Sequence, residues 1–180
     1  MAMVASLFAN GLTVGADASY SKSKVSATAS AGGTSVSDDY STNTKGVELK
    51  AGYAWEEVSL TGYYLKEKYK EGSLGDEDAA SFGVEAIYHT PLDEGFDFFM
   101  GGNIGKGKLD VEPNPYNLEE VKFIDIGVRA GVQKPIADQA NIEVGVKIVK
   151  RTFQDLVISG VKLEMDETQL GMFVGINFNL

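Results

Sequence analysis

Ile124-Asp125-Ile126-Gly127-Val128-Arg129-Ala130-Gly131-Val132 (IDIGVRAGV, residues 124–132) sorts cleanly by parity. Ile124, Ile126, Val128, Ala130 and Val132 are apolar, while Asp125, Gly127, Arg129 and Gly131 are charged or lack a side chain. A period of two puts each set on one face of an extended strand; a helix would scatter both sets around its axis. The second face is odd for a solvated surface, because Gly weakens a strand unless something must approach closely.

The pattern recurs in seven more stretches: Leu12–Tyr20, Val47–Trp55, Val58–Tyr64, Phe82–Tyr88, Phe96–Ile104, Ile142–Ile148 and Leu170–Phe178. Their connections alternate in length. Residues 26–44, 66–80, 105–121 and 151–168 read as long polar loops, and 56–57, 91–95 and 134–140 as short turns. This predicts an all-β, eight-stranded antiparallel up-and-down barrel, with long connections at one end and short turns with both termini at the other. Membrane barrels show that asymmetry, with short periplasmic turns and longer external loops.

Alternation alone does not say whether the apolar stripe faces lipid outside or a ligand inside, as in a soluble lipocalin-like carrier. Three features favour lipid. Glycine crowds the polar parity (Gly15, Gly52, Gly83, Gly127, Gly131, Gly145, Gly171, Gly175), where a narrow lumen needs room for larger neighbours. Tyr20, Trp55, Tyr64, Tyr88, Phe96 and Phe178 sit on the apolar parity near strand ends, as in an aromatic girdle. Charges avoid the apolar parity across the expected membrane band, where they would be costly.

The charges fall instead on the inward parity, as Asp17, Glu48, Lys50, Glu85, Asp125, Arg129, Glu143 and Lys147. Buried charges persist only when paired and hydrogen-bonded. Arg129 is expected to meet Glu143 or Glu85, and Lys147 to meet Asp125, so that these pairs plug the lumen. On this reading Arg129→Ala raises conductance.

The 180 residues suffice for one domain, 10–180. Residues 1–9 (MAMVASLFA) read either as the tail of a secretory signal or as a disordered N-terminus. No apolar run reaches the length of a membrane helix, yet a mean hydropathy of −0.10 suits strands that face lipid with alternate residues only. The absence of Cys rules out disulfides and thiolate chemistry. A net charge of −10 argues against nucleic acid as a partner.

His89, the only histidine, reads as structural, since no serine lies beside it along its strand; a Ser–His hydrolase is therefore not expected. The acidic clusters at 75–78 and 118–120 lack the spacing of a calcium loop, so no metal or other cofactor is expected. Lys66, Lys68, Lys70, Lys106, Lys108, Lys150 and Arg151 are placed at the outer rim, within reach of lipopolysaccharide phosphates.

The eight stripes, the loop asymmetry and the last strand, LGMFVGINFNL, resemble the small outer-membrane barrels of the OmpA transmembrane-domain and OmpX type. The resemblance covers residues 10–180. It implies location in a bacterial outer membrane and a C-terminal signal for the barrel-assembly machinery at Val174, Ile176, Phe178 and Leu180. The family usually ends in Phe, whereas here Leu180 is last and Phe178 stands two before it. The expected role is structural or interactive, through membrane lipid, lipopolysaccharide or an external ligand at the loops, in a monomer. A narrow porin-like channel is the alternative, ahead of a soluble carrier or a lipid-modifying enzyme.

Overall fold

A computed structural model describes residues 10–70, 77–92, 95–111 and 120–180. The expectations for residues 1–9, and parts of both acidic clusters, lie outside the described residues. The strands are β1 (Gly11–Ala31), β2 (Thr34–Trp55), β3 (Val58–Lys70), β4 (Asp78–Pro91), β5 (Asp97–Asp110), β6 (Glu120–Ala137), β7 (Ala140–Phe153), β8 (Leu156–Ile158) and β9 (Val161–Asn179).

From β1 to β7 each strand pairs antiparallel with the next, β7 pairs with β9 and β9 with β1, so β1–β7 and β9 close a ring. Closure removes the unpaired edges that would be intolerable in lipid. Among the described residues β8 pairs with β9 alone, and it stands outside the ring.

The outer surface is apolar over a definite band. Val47, Leu49, Ile124, Ile126, Val128, Val144, Val146, Leu170 and Met172 are all exposed there. A nine-residue stretch such as Val47–Trp55 rises about 20 Å along the barrel axis at a tilt of roughly 40°, close to the apolar band of a membrane barrel. Above that band the polarity of the two faces reverses. On β1 the outward series Leu12, Val14, Tyr20 continues as Lys22, Lys24, Ser26, and the inward series Asp17, Ser21, Ser23 continues as Val25.

The 26–44 stretch is not a loop. β1 and β2 stay in register from Tyr20↔Lys45 to Ala31↔Thr34 and turn through Gly32 and Gly33 at φ +56° and +84°. Among the described residues β2 parts from β3 at Asn43↔Lys70, and its outer part pairs with β1. With β9 and β8 these strands form a sheet that projects above the ring. Its residues are small, as in VSATASA (25–31), but they still alternate. The 151–168 stretch is likewise mostly strand, formed by the end of β7, by β8 and by the outer part of β9.

Candidate functional site: the charged lumen and the outer rim

Arg129 on β6 spans the lumen. Its Nη2 donates to Asp17 Oδ2 on β1 and Glu143 Oε1 on β7, each at 2.8 Å. Its Nη1 reaches Glu85 on β4 at 3.1 Å and Glu48 on β2 at 3.3 Å. Lys50 on β2 joins the same cluster, 2.7 Å from Glu143 and 2.9 Å from Asp17. Asn177 donates to the second oxygen of Glu143 at 2.7 Å. The guanidinium lies 3.8 Å from the centre of the Phe173 ring. Both expected partners of Arg129 are therefore present, together with two more acids.

The lumen glycines have a visible purpose here. Gly145 pairs with Phe173 across β7 and β9, and a Cβ on Gly145 would sit 2.7 Å from the ring. Gly131 stands in the same relation to Phe99, again at 2.7 Å. The missing side chains let these rings lie flat inside a narrow barrel, beneath the arginine.

A second arginine network lies further out. Arg151 on β7 is fully buried and donates from Nη2 to Glu67 on β3 at 2.7 Å. Its Nη1 donates to the Tyr69 hydroxyl at 2.5 Å and to Glu167 on β9 at 3.3 Å. Tyr69 in turn donates to Glu167 at 2.7 Å. Arg151 also stacks 3.9 Å from the Phe123 ring.

Two sequence expectations are corrected here. Arg151 is not at the outer rim, because its odd number puts it on the inward parity of β7 with Glu143 and Lys147. Lys147 does not pair with Asp125, because the β6–β7 register sets Arg129 opposite Lys147 and Asp125 opposite Arg151. Asp125 accepts a hydrogen bond from Tyr63 at 3.0 Å and lies 3.7 Å from Arg151. Sequence reading missed Glu67, Tyr69, Glu167 and Tyr63, although all lie on the inward parity of their strands.

His89 is buried in the lumen near the periplasmic end, where its Nε2 shares a hydrogen bond of 3.1 Å with Ser59 Oγ. The serine comes from β3, across the sheet rather than along the strand, which a one-strand reading could not find.

Tyr20 and Tyr64 are exposed on the outer surface towards the external end. Trp55, Tyr88 and Phe178 are exposed towards the periplasmic end, and Phe96 is half-buried under the ammonium of Lys134 at 4.6 Å. Val174, Ile176, Phe178 and Leu180 all keep the outward parity, so the C-terminal pattern faces lipid. Above the band the outward positions carry Lys66, Lys68, Lys70, Lys106, Lys108 and Lys150, joined by Lys22, Lys24, Lys45 and Lys122. Acids temper this rim: Asp78 serves Lys66 and Lys68, and Asp110 and Glu120 serve Lys108. Out on the projecting sheet, Lys24 lies 2.9 Å from Asp39 and holds that carboxyl below its usual range.

An apolar belt around a polar lumen, closed by strand pairing, defines an integral β-barrel of the bacterial outer membrane. The chain belongs to the outer membrane protein β-barrel domain family, whose model matches residues 4–179. It is similar in fold to Neisserial surface protein A, at 19% identity and a TM-score of 0.65, over 94% of this chain and 97% of that one. It is also similar to OprG from Pseudomonas aeruginosa, at 9% identity and a TM-score of 0.57, over 97% and 98% of the two chains. The solid-state NMR structure of AlkL in lipid bilayers matches at 13% identity and a TM-score of 0.54, over 100% of this chain and 95% of that one. No curated protein sequence matches the chain.

Proposed function

We propose that this barrel is closed to solutes and works through its exterior, with outer-leaflet lipopolysaccharide at its lysine rim and an external partner at its projecting sheet. The observation that carries this reading is Arg129, which ties carboxylates from β1, β2, β4 and β7 together across the lumen. Arg151 supports a second closure above it, drawing on β3 and β9. The spaces left beside these networks are about 40 Å³ and about 20 Å³. The first of these adjoins Ser59 and His89, and it is far below the several hundred Å³ of an ordinary ligand pocket. That supports a structural rather than hydrolytic role for this pair.

The test is conductance in planar bilayers. Wild type is expected to stay silent, Arg129→Ala to show at most brief openings, and Arg129→Ala/Arg151→Ala to conduct steadily. Steady wild-type channels would favour the porin-like alternative. For the rim, replacing Lys66, Lys68, Lys70, Lys106, Lys108 and Lys150 by Gln is expected to reduce the lipopolysaccharide that co-purifies with the protein. Undiminished lipopolysaccharide would remove that part of the proposal.

A further inference from the structure

The polarity reversal above the membrane band leaves an apolar space where the lumen meets the projecting sheet. Its walls are Val25 from β1, Leu109 from β5, Val121 from β6 and Phe153 from β7, all buried. On its external side stand Leu163 and Met165 of β9 with Leu156 of β8, so the small hairpin outside the ring has a place in the architecture. Its inner end is lined by Tyr69 and Glu167, which are bonded to each other and to Arg151. The cavity measures about 190 Å³.

We infer that this cavity is a binding site for a small, uncharged, apolar molecule on the scale of a single aromatic ring, held at the cell-surface mouth of the barrel and not passed through it. An apolar cavity of about 150 Å³ stays dry and takes up benzene, because water inside it would find no hydrogen-bond partners. Here the polar atoms of Tyr69 and Glu167 are already engaged, and Val25, Leu109, Val121, Phe153, Leu163 and Met165 offer carbon. An anion is disfavoured, since the carboxylates of Glu77 and Glu167 both line the space. Burial and these two acids push the Tyr40 hydroxyl at its edge up to about 12, so it remains neutral there. The Arg151 network closes the inner side, so entry and exit are both external.

Methionine labelling tests this in the full chain. Met165 lines the cavity, whereas Met100 and Met172 are exposed on the lipid-facing surface and report partitioning into the membrane. Toluene is titrated into protein carrying ¹³C-methyl methionine in lipid nanodiscs. The Met165 resonance is expected to shift and saturate, while those of Met100 and Met172 drift without saturating. Val121→Phe fills the wall, and Leu163→Trp fills the half-buried external side should the first variant fail to fold. Either is expected to abolish the saturable shift, and octanoate is expected to give none in wild type. A Met165 shift that merely tracks Met100 and Met172 overturns the inference. So does saturation that survives in the folded filled variants, or octanoate binding as well as toluene does.

Discussion

Removing Arg129 should expose how the lumen balances its charge. The guanidinium serves four carboxylates, but not all of them depend on it equally. In Arg129→Ala, Asp17 and Glu143 keep Lys50 at 2.9 and 2.7 Å. Glu85 and Glu48 lose the ion pair that held each of them, and the side chain of Glu85 is only 3% exposed. Breaking a buried pair by deleting one partner costs about 3–5 kcal/mol, because the other charge is left uncompensated. Loss of the stacking contact with Phe173 adds about 1 kcal/mol. Arg129→Ala is therefore expected to lower the unfolding free energy by about 4–6 kcal/mol, measured by urea titration in lipid vesicles with gel mobility as the readout of folding. Arg129→Met combined with Glu85→Gln and Glu48→Gln removes cation and acids together and should recover more than half of that loss. A single variant within about 1 kcal/mol of wild type would refute the idea that the network is held by its cation.

Two other outcomes are expected. Gly145→Val drives a branched side chain against the Ala130 carbonyl oxygen as well as into the Phe173 ring, and overpacking of this kind costs about 1–3 kcal/mol or more; because the backbone contact stays, the companion variant Gly145→Val/Phe173→Leu should regain only a minor part of it in the same titration. Phe178→Ser weakens the outward C-terminal pattern, so assembly in cells should slow, seen as a longer-lived unfolded band in pulse-chase gels, while the folded yield in detergent stays near wild type.

The membrane-spanning part was legible because large apolar residues alternate with Gly and charge, as in 124–132 and 142–148. Arg129 could be tied to Glu85 and Glu143 because an isolated buried cation is untenable and few acids share its parity. The projecting sheet was not legible. VSATASA carries one large apolar side chain, so its alternation is written in Ala against Ser and Thr, and composition suggests a loop. Lys150 and Arg151 form a basic pair that composition assigns to the rim together, whereas strand parity sends Lys150 outward and Arg151 inward. The partner of Asp125 was not legible because a short turn between β6 and β7 leaves the register open, and the Ala137↔Ala140 pairing is what sets Lys147 opposite Arg129. The Ser59–His89 contact and the apolar mouth cavity arise from strands distant in sequence, and only closure of the barrel brings those residues together.

The apolar stripe faces lipid, and the polarity of the two faces reverses above the membrane. The chain has no native Cys, so single Cys variants carry one spin label each. Labels at Val144, Val146 and Ile148, and at Lys24, Ser26 and Thr28, would be compared by power saturation in lipid vesicles. The first three should collide freely with oxygen and little with a water-soluble nickel chelate, and the last three should show the opposite. Nickel access at Val146 equal to that at Ser26 would contradict a membrane-spanning barrel.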